Sequence, residues 1–169
     1  MRECVYLAGD FDHDGDVVKQ IQKWNKSPYK DLKFKDAHDI TQARDESLNC
    51  SIKDSLLRRM NESNTFVIVV GNSTKMVRAG SCSYCESYYN GRCYRRNSLS
   101  DESYIEFECR KAVESGLKII VIYNSTIVDR NKCPSIISYR GQHIPAYYYE
   151  SGKYYWNYYQ IRNLIMNIY

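Results

Sequence analysis

The chain has 169 residues, a length that favours one domain with a real core. Its 24 basic and 20 acidic residues leave a net charge of +4, too mild and too evenly spread to argue for nucleic acid. With 26% charged and 43% hydrophobic residues, and no run near the ~18 apolar residues of a membrane span, a soluble globular protein without a membrane partner is expected.

In chain order, the first apolar run is Cys4 to Ala8. It starts almost at once, so no signal peptide is expected and a cytoplasmic location follows. Val17, Val18, Ile21 and Trp24 recur at helical spacing after Asp14-Gly15-Asp16. Leu32 to Phe34 reads as a weaker second strand. Ile52, Leu56, Leu57 and Met60 predict a second helix, with Asn49 or Ser51 as N-cap. Phe66 to Val70 is a third strand. Residues 72–102 form a long loop or insertion. A helix after Ser103 leads through Gly116 to a strand at Ile119 to Tyr123. Ile144 to Tyr149 reads as a fifth strand. Tyr154, Tyr158, Ile161, Ile165 and Ile168 form the stripe of a closing helix.

The runs at Cys4, Phe66 and Ile119 are continuous rather than alternating, as strands buried on both faces are. The order β-α-β-α-β-α-β-(short helix)-β-α predicts an α/β, flavodoxin-like, doubly wound parallel sheet of five strands flanked by helices, one domain over residues 1–169. Such folds bind ligands beyond the carboxyl ends of the strands. Those ends here are Gly9-Asp10-Phe11, Asp36-Ala37-His38-Asp39, Gly71-Asn72-Ser73 and Asn124-Ser125. Gly9 and Gly71 either let backbone approach a ligand or merely end their strands.

No G-x-G-x-x-G follows the first strand, and no P-loop or G-x-S-x-G elbow occurs. His13, His38 and His143 have no metal-ligand spacing. Chemistry must rest on carboxylates, loop backbone or cysteines. Of seven cysteines, Cys4, Cys50, Cys109 and Cys133 are scattered, so reduced thiols are expected. Cys82 and Cys85, with Cys93 beyond, have zinc-ligand spacing but lack a fourth ligand, and no metal is assigned. Tyr147-Tyr148-Tyr149, Tyr154-Tyr155 and Tyr158-Tyr159 stand out among 17 tyrosines. Few basic residues interleave with them, so sheet packing or an assembly interface is preferred to a nucleic-acid platform.

Glu108 is the awkward residue. Ile105, Cys109, Ala112 and Val113 share one arc of its helix, while Glu106, Arg110, Lys111 and Glu114 cover the far side. Glu108 falls on the border. Pattern alone favours an ion pair with Lys111 or Arg110, or a solvated border position.

The segment Tyr104-Ile105-Glu106-Phe107-Glu108, with the helix and strand after it, resembles the W-V-x-Y-E stretch of bacterial TIR-like domains. Val5 to Asp14, Ser51 to Met60 and Ser63 to Thr74 are similar to the first strand and loop, the second helix and the third strand and loop of Thoeris antiphage TIR proteins. Tyr104 stands where that family usually has Trp. The resemblance covers Cys4 to Asn124 and implies a flavodoxin-like fold. It implies cleavage of the nicotinamide–ribose bond of NAD, with Glu108 as the catalytic residue and no cofactor beyond NAD as substrate. The product would be an ADP-ribose-derived signal, cyclic or conjugated, that activates an effector in antiphage defence. Self-association is expected with it. Gly9, Asp10, Phe11, His38, Asp39, Gly71 and Tyr104 are placed by position to line the substrate pocket. Two other functions stay open. Tyr6-Leu7-Ala8-Gly9 is similar to the start of nucleoside deoxyribosyltransferases, and many TIR domains are adaptors without catalysis.

Overall fold

In the computed structural model, residues 3–37, 49–82, 85–90, 92–94 and 102–168 are described. Five strands form the main sheet: β1 (Cys4–Gly9), β2 (Lys35–Asp36), β3 (Thr65–Val70), β6 (Lys118–Tyr123) and β7 (Gln142–Pro145). Their order is β2-β1-β3-β6-β7, and every neighbouring pair is parallel. This is the doubly wound order in which the chain reverses direction between β1 and β3. Two two-residue strands, β4 (Tyr88–Tyr89) and β5 (Arg92–Cys93), make a small antiparallel ladder within the long 72–102 segment.

Helices α1 (Phe11–Lys26) and α4 (Tyr158–Met166) cover one face of the sheet, and α2 (Asn49–Asn61) and α3 (Tyr104–Glu114) cover the other. On the first face Val5, Leu7, Val67, Val69, Ile120 and Ile122 meet Val17, Val18, Ile21 and Ile161. On the second, Tyr6, Phe66, Ile68 and Val121 meet Leu56, Met60, Ile105 and Ala112. Alternate residues of β1, β3 and β6 thus enter opposite cores, which is why their apolar runs are continuous. Each large side chain so buried contributes about 1.5–3 kcal/mol.

Four expectations need correction. Helix α1 begins at Phe11, ahead of Asp14-Gly15-Asp16, because the Asp10 carboxylate caps it by accepting from the Asp12 N–H at 3.1 Å. The second strand is Lys35–Asp36, not Leu32 to Phe34. Leu32 and Phe34 are buried, but the Phe34 N–H donates to the Asn25 side chain at 2.9 Å rather than to a neighbouring strand. The fifth strand stops at Pro145. Tyr147 to Glu150 (β8) turns away and pairs antiparallel with Lys153 to Trp156 (β9). The link is Ser151-Gly152, with φ of 50° and 81°, the left-handed pair of a tight hairpin turn. Tyr154 therefore lies in a strand, and α4 starts only at Tyr158.

Helix α3 carries a capping box. The Ser103 hydroxyl accepts from the Glu106 N–H at 3.2 Å, and the Glu106 carboxylate accepts from the Ser103 N–H at 2.8 Å. Among the described residues no helix is long and apolar enough to cross a membrane.

Candidate functional site

At the carboxyl ends of β1, β3 and β6, one buried carboxylate organises the loops. Asp14, in the first turn of α1, is 2% exposed. Its Oδ1 accepts from the Asn124 amide at 2.8 Å, and its Oδ2 accepts from the Thr74 hydroxyl at 3.4 Å. The Thr74 hydroxyl itself accepts from the Gly71 N–H at 2.8 Å. A Cβ on Gly71 would stand 2.0 Å from Asp14 Oδ1. Gly71 is a glycine because that carboxylate occupies the space. Gly9 has looser surroundings, with Val18 and Val69 at 3.4 Å from a Cβ there.

Beside this knot the Asp10 carboxylate, 7% exposed, faces His13 Nδ1 at 2.6 Å. Phe11 opens α1 with half of its surface in solvent. Gly9 ends β1, Asp10 and Phe11 follow it, and Gly71 follows β3, so all four stand at the carboxyl ends of two neighbouring central strands. His38 and Asp39 lie outside the described residues.

Glu108 sits on the α2–α3 face. It is 7% exposed, and the Tyr6 hydroxyl donates to its Oε1 at 2.5 Å. Burial pushes the Tyr6 hydroxyl pKa well up, and the Glu108 charge pushes it further, while the Arg59 charge opposes both. Tyr6 is thus a neutral donor to a buried carboxylate. The expected pairing of Glu108 with Arg110 or Lys111 is overturned. Arg110 engages Glu102 at 2.6 Å and Glu114 at 2.7 Å, and Lys111 engages Glu114 at 2.7 Å. At about 100° per residue, Arg110 and Glu114 point about 160° and 120° away from Glu108 around α3.

Tyr104 is one turn earlier on the same helix. Its hydroxyl donates to the Asn49 side chain at 2.7 Å, tying α3 to the start of α2. Burial, then the charges of Cys85, Cys50 and Cys82, push its pKa up to about 12. Its ring fills the space over Gly80, where a Cβ would approach it to 2.4 Å. Cys82 is buried and Cys85 half-buried. Among the described residues no group of three or more His, Cys, Asp or Glu is arranged to hold a metal. The Cys93 side chain lies outside them.

Sequence reasoning missed Tyr6, Asp14 and Thr74 as site residues. Tyr6 had a signal: a hydroxyl inside an otherwise aliphatic buried strand needs a partner. Asp14 and Thr74 had none, since both read as ordinary polar residues near a strand end.

The strand order, with helices on both faces of the parallel sheet, makes this a flavodoxin-like α/β domain. Residues 6–79 match the family described as Thoeris protein ThsB, TIR-like domain, and this supports a Thoeris-type TIR-like family and a TIR module of antiphage defence for the chain. The matched stretch holds Tyr6, Gly9, Asp10, Phe11, Asp14 and Gly71, and ends before Tyr104 and Glu108. No curated protein matches the chain.

Proposed function

We propose that this chain cleaves the nicotinamide–ribose bond of NAD and releases an ADP-ribose-derived signal that activates a separate effector. The observation that carries the reading is Glu108, a buried carboxylate with a phenol donor in the α3 segment that resembles the TIR-like catalytic stretch. Nicotinamide leaves as a neutral base with the electron pair of its bond to C1′, so no acid is needed to protonate it. The sugar is left with oxocarbenium character, which a fixed carboxylate stabilises. The Tyr6 hydroxyl donates to one carboxylate oxygen and fixes the orientation in which Glu108 would meet the sugar. Gly9, Asp10, Phe11 and Gly71 would line the approach, and Tyr104 would stand beside it on α3. His38 and Asp39 are the remaining candidates by position. NAD is the substrate, no further cofactor is called for, and self-association is part of the proposal.

The reading has one steric requirement. Tyr6 precedes Gly9 by three residues, about 10 Å along the strand at about 3.3 Å per residue. The ribose must therefore reach below the rim, past Tyr104. The same depth favours a second reading, an adaptor domain in which the Tyr6–Glu108 bond only braces the core. Incubation with NAD, with and without phage lysate, separates the two. Nicotinamide release supports the enzyme. Release of free base from deoxynucleosides alone would point instead to deoxyribosyl transfer, and no turnover of either would leave the adaptor.

A further inference from the structure

Cys82 and Cys85 lie in the long 72–102 segment, beyond the family match that ends at residue 79, and the proposed NAD chemistry does not use them. The Cys85 N–H donates to the Cys82 carbonyl at 3.0 Å. A turn closed by that bond holds its end Cα atoms within about 7 Å. Disulfides span about 4.4–6.8 Å between Cα atoms. The backbone is therefore already set for a bond between the two sulfurs, both of which are free thiols. Their surroundings differ. Cys82 is 7% exposed, while Cys85 is half-buried and partly open to solvent. Two thiols are too few for a structural zinc, and among the described residues no third ligand joins them. The residues just before Cys82 clamp α3. The Tyr104 N–H donates to the Ala79 carbonyl at 2.8 Å. The Asn49 side chain accepts from the Tyr104 hydroxyl at 2.7 Å and donates to the Ser81 carbonyl at 3.2 Å.

We infer that Cys82 and Cys85 are a redox-active pair, closed to a reversible disulfide by a peroxide, and that closure tightens the clamp on α3. The more exposed thiol reacts first. The Cys85 sulfur attacks the O–O bond of ROOH, its proton passes to the leaving RO⁻, and Cys85–SOH and ROH result. The Cys82 sulfur then displaces hydroxide from Cys85, and that hydroxide leaves as water with the Cys82 proton. Two electrons pass from the thiols to the peroxide, and a dithiol reductant returns them. Closing a short ring at the end of the Ala79–Cys82 stretch removes freedom from its open state. The inference does not rest on the proposed NAD chemistry.

Trypsin cuts after Arg78 and Arg92, so Cys82 and Cys85 share one peptide, residues 79–92, with no other cysteine. The intact reduced protein is treated with hydrogen peroxide, blocked with N-ethylmaleimide, digested and weighed. That peptide is expected to be lighter by two hydrogens and unlabelled, and dithiothreitol before blocking should restore both labels. In Cys82→Ser, Cys85 should stop at the sulfenic acid, trapped by dimedone. In Cys85→Ser, which alters the more exposed thiol and spares the core, Cys82 should stay a thiol. Exchange of the Tyr104 amide, followed by NMR, should slow about 10-fold on oxidation of wild type and not of either variant. Both cysteines labelled after peroxide, a disulfide to another cysteine instead, Cys82 oxidised in Cys85→Ser as fast as in wild type, a bound zinc ion shielding both thiols, or Tyr104 exchange unchanged or faster would each overturn the inference.

Discussion

The Tyr6 hydroxyl reaches across the sheet–helix interface to the Glu108 carboxylate at 2.5 Å, joining β1 to α3 inside the core. The bond unites one polar atom from a buried strand with one from the border of an apolar helix stripe. Removing the donor leaves a buried charge less satisfied. Tyr6→Phe should therefore destabilise the fold by about 1–3 kcal/mol. Glu108→Gln keeps an acceptor of the same shape and should cost less. Urea denaturation of the two variants beside wild type checks the order. Equal stability of Tyr6→Phe and wild type would mean that the bond contributes nothing.

Gly71 and Asp14 make a second, steric pair. The Cβ of Gly71→Ala would meet the Asp14 carboxylate at 2.0 Å, so the loop must shift or the knot to Asn124 and Thr74 must break. A cost of about 1–3 kcal/mol is expected, as for overpacking elsewhere. In an Asp14→Ala background the space is free, and the same change should cost measurably less. A double-mutant cycle by thermal unfolding reads that coupling.

His143 should make stability depend on pH. Its Nδ1 is 2.8 Å from the Tyr123 hydroxyl, and its Nε2 is 3.0 Å from the Arg140 carbonyl. That pattern fits a neutral ring that donates through Nε2 and accepts from Tyr123. Burial is the largest cause lowering its pKa below 6.5, and the Arg130 charge adds to it. The folded state then binds fewer protons than the unfolded one around that pH. The contribution is present above about pH 6.5 and is lost as pH falls towards the lowered folded value. Denaturation midpoints between pH 7.5 and 5.5 should drop for wild type and drop less for His143→Gln.

The capping box of α3 supplies a milder test close to the site. Ser103→Ala removes the acceptor for the Glu106 N–H and should cost about 1 kcal/mol. A loss within error of zero, by the same denaturation assay, would show that the first turn of α3 is held by packing alone.

Much of this fold was legible in the sequence because the central strands are buried on both sides. Cys4 to Ala8, Phe66 to Val70 and Ile119 to Tyr123 can hardly be read otherwise, and they lie within β1, β3 and β6. Edges were harder. Leu32 and Phe34 are as apolar as core strand residues, yet only Lys35 and Asp36 make the ladder. Tyr154 fits a helical stripe in number, but Ser151-Gly152 turns the chain into a hairpin first. At the site, position was readable and partnership was not. Gly9, Asp10 and Gly71 follow from strand ends. The Tyr6–Glu108 bond and the Asp14 knot join residues far apart in sequence, and local periodicity carries no information about them.

The most direct test of the proposed catalysis is the rate of nicotinamide release from NAD by wild type and Glu108→Gln, compared at matched folded fractions. The proposal predicts turnover in wild type and a loss of about 10²–10³-fold in the variant, the scale of one lost electrostatic stabiliser. Undiminished turnover in a folded Glu108→Gln protein would contradict it and leave Glu108 as a brace for Tyr6.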